Sequence, residues 1–129
     1  MPQPAQHDGP TRLSDNLRAQ VSPGERATVV RLDGELELTS VASLRREVLG
    51  LADDGQVVQV LDLSGVTFLD SAGLGFLVSI HRRLRARSGR LILVCSNEPI
   101  LRLLRLTSLD RVFTVHETVD EALAAEPPG

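Results

Sequence analysis

The chain has no tryptophan, no tyrosine and no lysine, a single cysteine, and only three phenylalanines, Phe68, Phe76 and Phe113. Each shortage removes a class of explanation. So few rings leave no stacking platform for single-stranded nucleic acid. A formal net charge of −3 removes the basic face that phosphate backbones require. A lone Cys95 cannot form an internal disulfide, and in its apolar run it reads as an inert buried thiol. With lysine missing, all 14 basic residues are arginine, which reads as a mark of a GC-rich genome rather than of function. No segment approaches the roughly 20 apolar residues of a membrane span. Residues 1–10 lack the basic-then-apolar order of a signal peptide. The expected location is the cytoplasm, with no membrane insertion and no nucleic-acid partner.

What is present suits one domain of 129 residues, 42% hydrophobic, with an aliphatic core. Pro2, Pro4, Gly9 and Pro10 mark residues 1–10 as an expected disordered arm, and residues 127–129 as a short tail. The domain is expected over residues 11–126. Residues 13–21 alternate apolar and polar and read as one edge strand. Ser22-Pro23-Gly24 turns the chain into a second strand, residues 27–32, ended by Asp33-Gly34. Thr39 or Ser40 can cap a helix with Val41, Leu44, Val48 and Leu51 on its apolar face. Residues 57–63 are apolar almost throughout, as in a strand buried on both faces.

A second helix is expected from Asp70 to about Arg87, with Leu77, Ile80, His81 and Leu84 inward and Ser88-Gly89 as its stop. A strand over 91–95 and a helix opened by Asn97 and Pro99 follow. After a short strand over 112–115, Thr118-Val119-Asp120-Glu121 forms a capping box for the last helix. Helices between strands imply an α/β fold with parallel pairing and right-handed crossovers, edged by an antiparallel hairpin.

The hexapeptide Asp70-Ser71-Ala72-Gly73-Leu74-Gly75 carries the chemistry. It puts a small hydroxyl beside a carboxylate at a helix N-terminus, where unpaired N–H groups and a partial positive charge tolerate a phosphate. Ser71 reads as a phosphorylation switch on a binding protein. The bland alternative is a helix-capping hydroxyl. A hydrolase is disfavoured: there is no Gly-x-Ser-x-Gly elbow, His7 lies in the arm, and His81 is about three turns further along the helix. Gly73 and Gly75 match neither the Walker nor the dinucleotide pattern and read as packing glycines. Asp53 with Asp54, and Glu35 with Glu37, lack a third ligand for a metal, and no cofactor is expected. Arg82, Arg83, Arg85, Arg87 and Arg90 read as a solvated helix end, while residues 33–54 hold six acids, a polarity that could steer a charged partner.

Three stretches resemble the STAS domain, the fold of bacterial anti-sigma factor antagonists: residues 30–36, with Gly34-Glu35-Leu36; residues 61–75, ending in the hexapeptide; and residues 106–113. The resemblance implies a mixed, mostly parallel sheet of four to five strands with about four helices. It implies a non-enzymatic phospho-acceptor. The unphosphorylated form would bind an anti-sigma factor of the serine kinase type and release the sigma factor. Phosphorylation at Ser71 would end binding, and a serine phosphatase would restore it. The partner surface would comprise Asp70, Ser71, Ala72, Gly73 and Leu74, with Glu35 and Glu37 near. Two positions depart from the pattern. Glu37 stands where the family often has Asp, and Ser108 where it often has Gly, so that helix end is expected to lose its left-handed cap. The alternative implied by the same family is a docking subunit of a membrane transporter or of a signalling assembly. Monomer and dimer remain open.

Overall fold

The computed structural model describes residues 9–127. Residues 1–8 and 128–129, and with them most of the expected arm and tail, lie outside the described residues. Six strands form one sheet in chain order: β1 (Thr11–Ser14), β2 (Leu17–Ser22), β3 (Thr28–Leu36), β4 (Val58–Leu69), β5 (Arg90–Val94) and β6 (Thr114–His116). β1, β2 and β3 pair antiparallel, and β3 through β6 pair parallel. The helices are α1 (Val41–Asp53), α2 (Ser71–Ala86), α3 (Glu98–Leu106) and α4 (Val119–Ala125).

The sixth strand arises because residues 13–21 are two strands, not one. Asp15 and Asn16 turn the chain between β1 and β2, and the Ser14 hydroxyl donates to Asn16 Oδ1 at 2.9 Å. Both residue types favour such turns. Leu13, Leu17 and Ala19 pack into the same core on either side of it, so period-two alternation runs through the turn and conceals it. β3 and β4 are also longer than their apolar runs. β3 passes Gly34, whose φ of 122° favours glycine, and continues to Leu36. β4 runs on past residue 63, where the apolar run stops, and continues to Leu69. Its register against β3 slips twice, between Arg31 and Asp33 and between Gly34 and Glu35. Such bulges re-aim a strand end, and here they bring Leu69 opposite Leu36.

Side chains from α1, α2 and α3 pack on one sheet face. Leu44, Val48, Phe76, Leu77, Ile80, Leu84, Ile100 and Leu104 meet Val30, Leu32, Leu61, Leu63 and Leu93. On the other face Ala122 of α4 meets Ala27, Val60, Ile92 and Val94. The central strand is thus buried on both sides. Each fully buried Leu or Val contributes about 1.5–3 kcal/mol against exposure. In α1, Ala52 is buried and Leu51 only partly so. His81 sits at the edge of the inner face of α2, its ring edge-on to Phe113 at 5.4 Å.

α2 ends in a Schellman motif: Ser88 N–H donates to Arg85 O at 3.1 Å and Gly89 N–H to Leu84 O at 2.7 Å. The left-handed residue is Ser88, with φ 63°, rather than Gly89. Ser108 also takes a left-handed conformation, φ 60°. The left-handed turn after α3 is therefore kept without glycine, contrary to the expectation from the departure at that position. At α4, Thr118 accepts from Glu121 N–H at 3.1 Å, and Glu121 accepts from Glu117 N–H at 3.3 Å, one residue before the usual capping-box partner.

Candidate functional site

The carboxyl ends of the parallel strands and the loops that leave them form one end of the molecule, where open α/β sheets present their ligands. Asp70 sits at its centre. It is the N-cap of α2, and its Oδ1 accepts from Gly73 N–H at 2.9 Å. Its Oδ2 accepts from Leu38 N–H at 3.4 Å, and its own N–H donates to Leu36 O at 3.4 Å. One residue therefore finishes β4, caps α2 and ties down the loop between β3 and α1.

Because Asp70 does the capping, Ser71 does not. Ser71 is the first residue of α2 and is exposed, and its hydroxyl makes no hydrogen bond among the described residues. The amides of the first helical turn have no intrahelical acceptor. The geometry thus presents a free hydroxyl beside donors suited to anionic oxygen.

Gly73 is buried beneath this point. A Cβ there would lie 2.5 Å from Leu36 O and 2.5 Å from a Leu69 methyl. The residue lets α2 start in contact with the end of β3. Gly75 has nothing within 4 Å of such an atom, so it is not the second packing glycine the sequence suggested. Ala72 and Leu74 are half-buried on the first turn.

The neighbouring loop carries Glu37. Its carboxylate accepts from the Thr39 hydroxyl at 2.6 Å, from the Thr39 amide, and from Asn16 Nδ2 at 3.1 Å. The Thr39 hydroxyl, then the Thr39 amide, hold the Glu37 carboxyl below its ordinary range. The same Asn16 Nδ2 donates to Glu35 Oε1 at 3.1 Å. Asn16, in the turn between β1 and β2, thus gathers Glu35 and Glu37 on the rim beside Asp70. Ser40, at the N-cap of α1, is turned away from that helix: its hydroxyl accepts from Glu37 N–H at 3.0 Å and lies 2.9 Å from Glu35 O as donor. Neither Asn16 nor exposed Leu38 and Phe68 stood out in the sequence. Asn16 was hidden inside an apparent strand.

The remaining candidates lie elsewhere. His81 faces Phe113, and burial first, then Arg85 and Arg82, lower its pKa. Ten residues of helix separate it from Ser71, about 15 Å of rise. Burial raises the pKa of the Cys95 thiol, as an inert core cysteine requires. Asp53 is paired with Arg87 at 2.7 Å and Glu126 with Arg90 at 2.7 Å, so two members of the arginine run hold other elements. Among the described residues no three His, Cys, Asp or Glu side chains converge for a metal, and no helix is long and apolar enough to cross a membrane.

Fold and site together define a STAS-type module, and comparison with known proteins agrees. Residues 16–122 match the STAS domain, and the chain belongs to that family. It is 28% identical over 100 residues to the anti-sigma-B factor antagonist of Bacillus subtilis, covering 78% of this chain and 91% of that one. It is 28% identical over 109 residues to the anti-sigma-F factor antagonist RsfB of Mycobacterium tuberculosis, covering 84% and 88%. Among solved structures it is similar to an anti-sigma factor antagonist from Mycobacterium paratuberculosis, at 30% identity and a TM-score of 0.78, covering 86% of this chain and 94% of that one.

Proposed function

We propose that the protein is an anti-sigma factor antagonist, whose unphosphorylated form binds an anti-sigma factor of the serine kinase type and whose binding ends when Ser71 is phosphorylated. The observation that carries this reading is the division of labour at the start of α2: Asp70 caps, and Ser71 is left exposed with a free hydroxyl. The names of the relatives support the partner class. A phosphate on Ser71 adds about −1.5 to −2 charge. Unbound, it can rest on the first amides of α2 and in water. Under a docked partner it loses that water and faces the carboxylate of Asp70, so binding is penalised. The surface consists of Asp70, Ser71, Ala72 and Leu74, with Gly73 beneath them setting their height, and with Glu35 and Glu37 on the rim. A serine phosphatase resets it. The protein binds and is modified, and no catalysis of its own is required.

The test is phosphopeptide mapping by mass spectrometry after incubation with ATP and a recombinant serine-kinase anti-sigma factor from the same genome. One phosphate at Ser71, absent in Ser71→Ala, is expected. A phosphate at another residue, or none, overturns the switch.

A further inference from the structure

Four large apolar side chains are strongly exposed among the described residues: Leu38 at 72%, Phe68 at 50%, Leu106 at 72% and Val112 at 45%. They fall into two pairs at opposite ends of the sheet. Leu106 ends α3 and Val112 precedes β6, at the end where the parallel strands begin. Leu38 and Phe68 stand at the other end, next to Ser71. Leu38 N–H is bonded to Asp70, and Phe68, two residues before Asp70, pairs in register with Glu35. Neither has a structural reason to be apolar. The loop of Leu38 is already held by Glu37, Ser40 and Asp70 through polar contacts. Leu69, not Phe68, carries the end of β4 into the core. Beside this pair, Glu35, Glu37 and Asp70 form no ion pair among the described residues. Their hydrogen bonds come from neutral donors.

We propose that Leu38 and Phe68 are the apolar anchors of the partner surface around Ser71, and that the bound partner protein offers an apolar recess rimmed by arginine or lysine that meets Glu35 and Glu37. This rests on the binding role proposed above and names its chemistry. Apolar anchors at the centre of a patch with charges at its edge are the ordinary anatomy of an interface. The arrangement also accounts for the sign of the switch. A phosphate on Ser71 would be covered by the docked partner beside the Asp70 carboxylate, away from the cations that meet Glu35 and Glu37, and an unpaired charge there is strongly unfavourable. The basic Leu106 end of a second copy is a poorer occupant. Leu106 and Val112 are themselves exposed, projecting side chains there, and a head-to-tail contact of that kind builds a ring or an open filament rather than a two-fold pair.

The probes are the recombinant anti-sigma factors of the same genome, titrated by calorimetry against wild type, Ser71→Glu, the double variant Leu38→Ala/Phe68→Ala, Leu106→Ala, and Glu35→Gln/Glu37→Gln. Both anchors are exposed, so the double variant is expected to keep its melting temperature within a few degrees. Its affinity should fall about 100-fold, with Leu106→Ala within twofold of wild type. Added salt should weaken wild-type binding, and Glu35→Gln/Glu37→Gln should flatten that dependence. Binding that is lost in Ser71→Glu but intact in the double variant overturns the anchors and leaves the antagonist role standing. No binding by any probe overturns both. Loss of affinity in Leu106→Ala instead, or a wild-type dimer in gel filtration that only the double variant dissolves, overturns the surface or its occupant.

Discussion

The N-terminal end of α2 is capped by one carboxylate, rimmed by two more, and flanked by apolar side chains that are exposed among the described residues. The C-terminal end is closed by the chain itself: a Schellman turn satisfies its carbonyls, Gly89 packs against Val57, and Arg87 pairs with Asp53 on α1. Arg83 and Arg85 in its last turn complement the helix dipole. One end of the helix is finished internally, and the other carries exposed apolar side chains and carboxylates that form no ion pair among the described residues. Under the proposed function, the difference separates charge that serves stability from charge that serves recognition. The arginines mostly answer local needs, whereas Glu35 and Glu37 are held together by Asn16 although like charges repel.

That contrast can be broken most severely at Gly73. Gly73→Ala places a methyl against Leu36 O and Leu69. It should destabilise by about 1–3 kcal/mol, the usual cost of overpacking, as measured by urea denaturation. Two turns-worth of chemistry at the same end then separate by size. Asp70→Ala removes the N-cap and should cost about 1 kcal/mol, with faster amide exchange at both Gly73 and Leu38, since both N–H groups lose their acceptor. At the closed end, Ser88→Gly relieves a left-handed serine and should stabilise by about 0.5–1 kcal/mol; a loss instead would show that the serine is not strained there. Gly75→Ala, in open space on α2, should stabilise by up to about 1 kcal/mol through helix propensity, the reverse of Gly73→Ala two residues away.

The smallest effect is a titration. Glu37 is held ionised by Thr39. Its depressed carboxyl favours the ordered loop fully above the ordinary glutamate value of 4.5, and that contribution is lost as pH falls through the lower folded value. Proton titration by NMR should place Glu37 below an ordinary glutamate, and Thr39→Val should return it upward. An unmoved midpoint in the variant would deny the Thr39 contact its role.

Much of this was legible in the residues. The run of apolar residues at 57–63 and the helical spacing after Ser71 gave the parallel sheet and its crossovers, because burial sets both periods. The turn at Asp15-Asn16 was not legible, since Leu13 and Leu17 face one core across it. Nor were the full lengths of β3 and β4, which depend on two register slips that only pairing reveals. At the site, Asp70 and Ser71 were evident, but which of them caps the helix is a matter of backbone position. Leu38 and Phe68 lie beyond the expected ends of both strands, at residues 32 and 63, so nothing in their spacing marked them as exposed; that follows from where the bulged pair of strands ends.

The most direct test is the dissociation constant of one anti-sigma factor measured twice by calorimetry, against unphosphorylated protein and against protein phosphorylated stoichiometrically at Ser71. A coupling of about 1–3 kcal/mol predicts an affinity roughly 5–150-fold weaker for the phosphorylated form. Equal affinities, or tighter binding by the phosphorylated protein, would contradict the account.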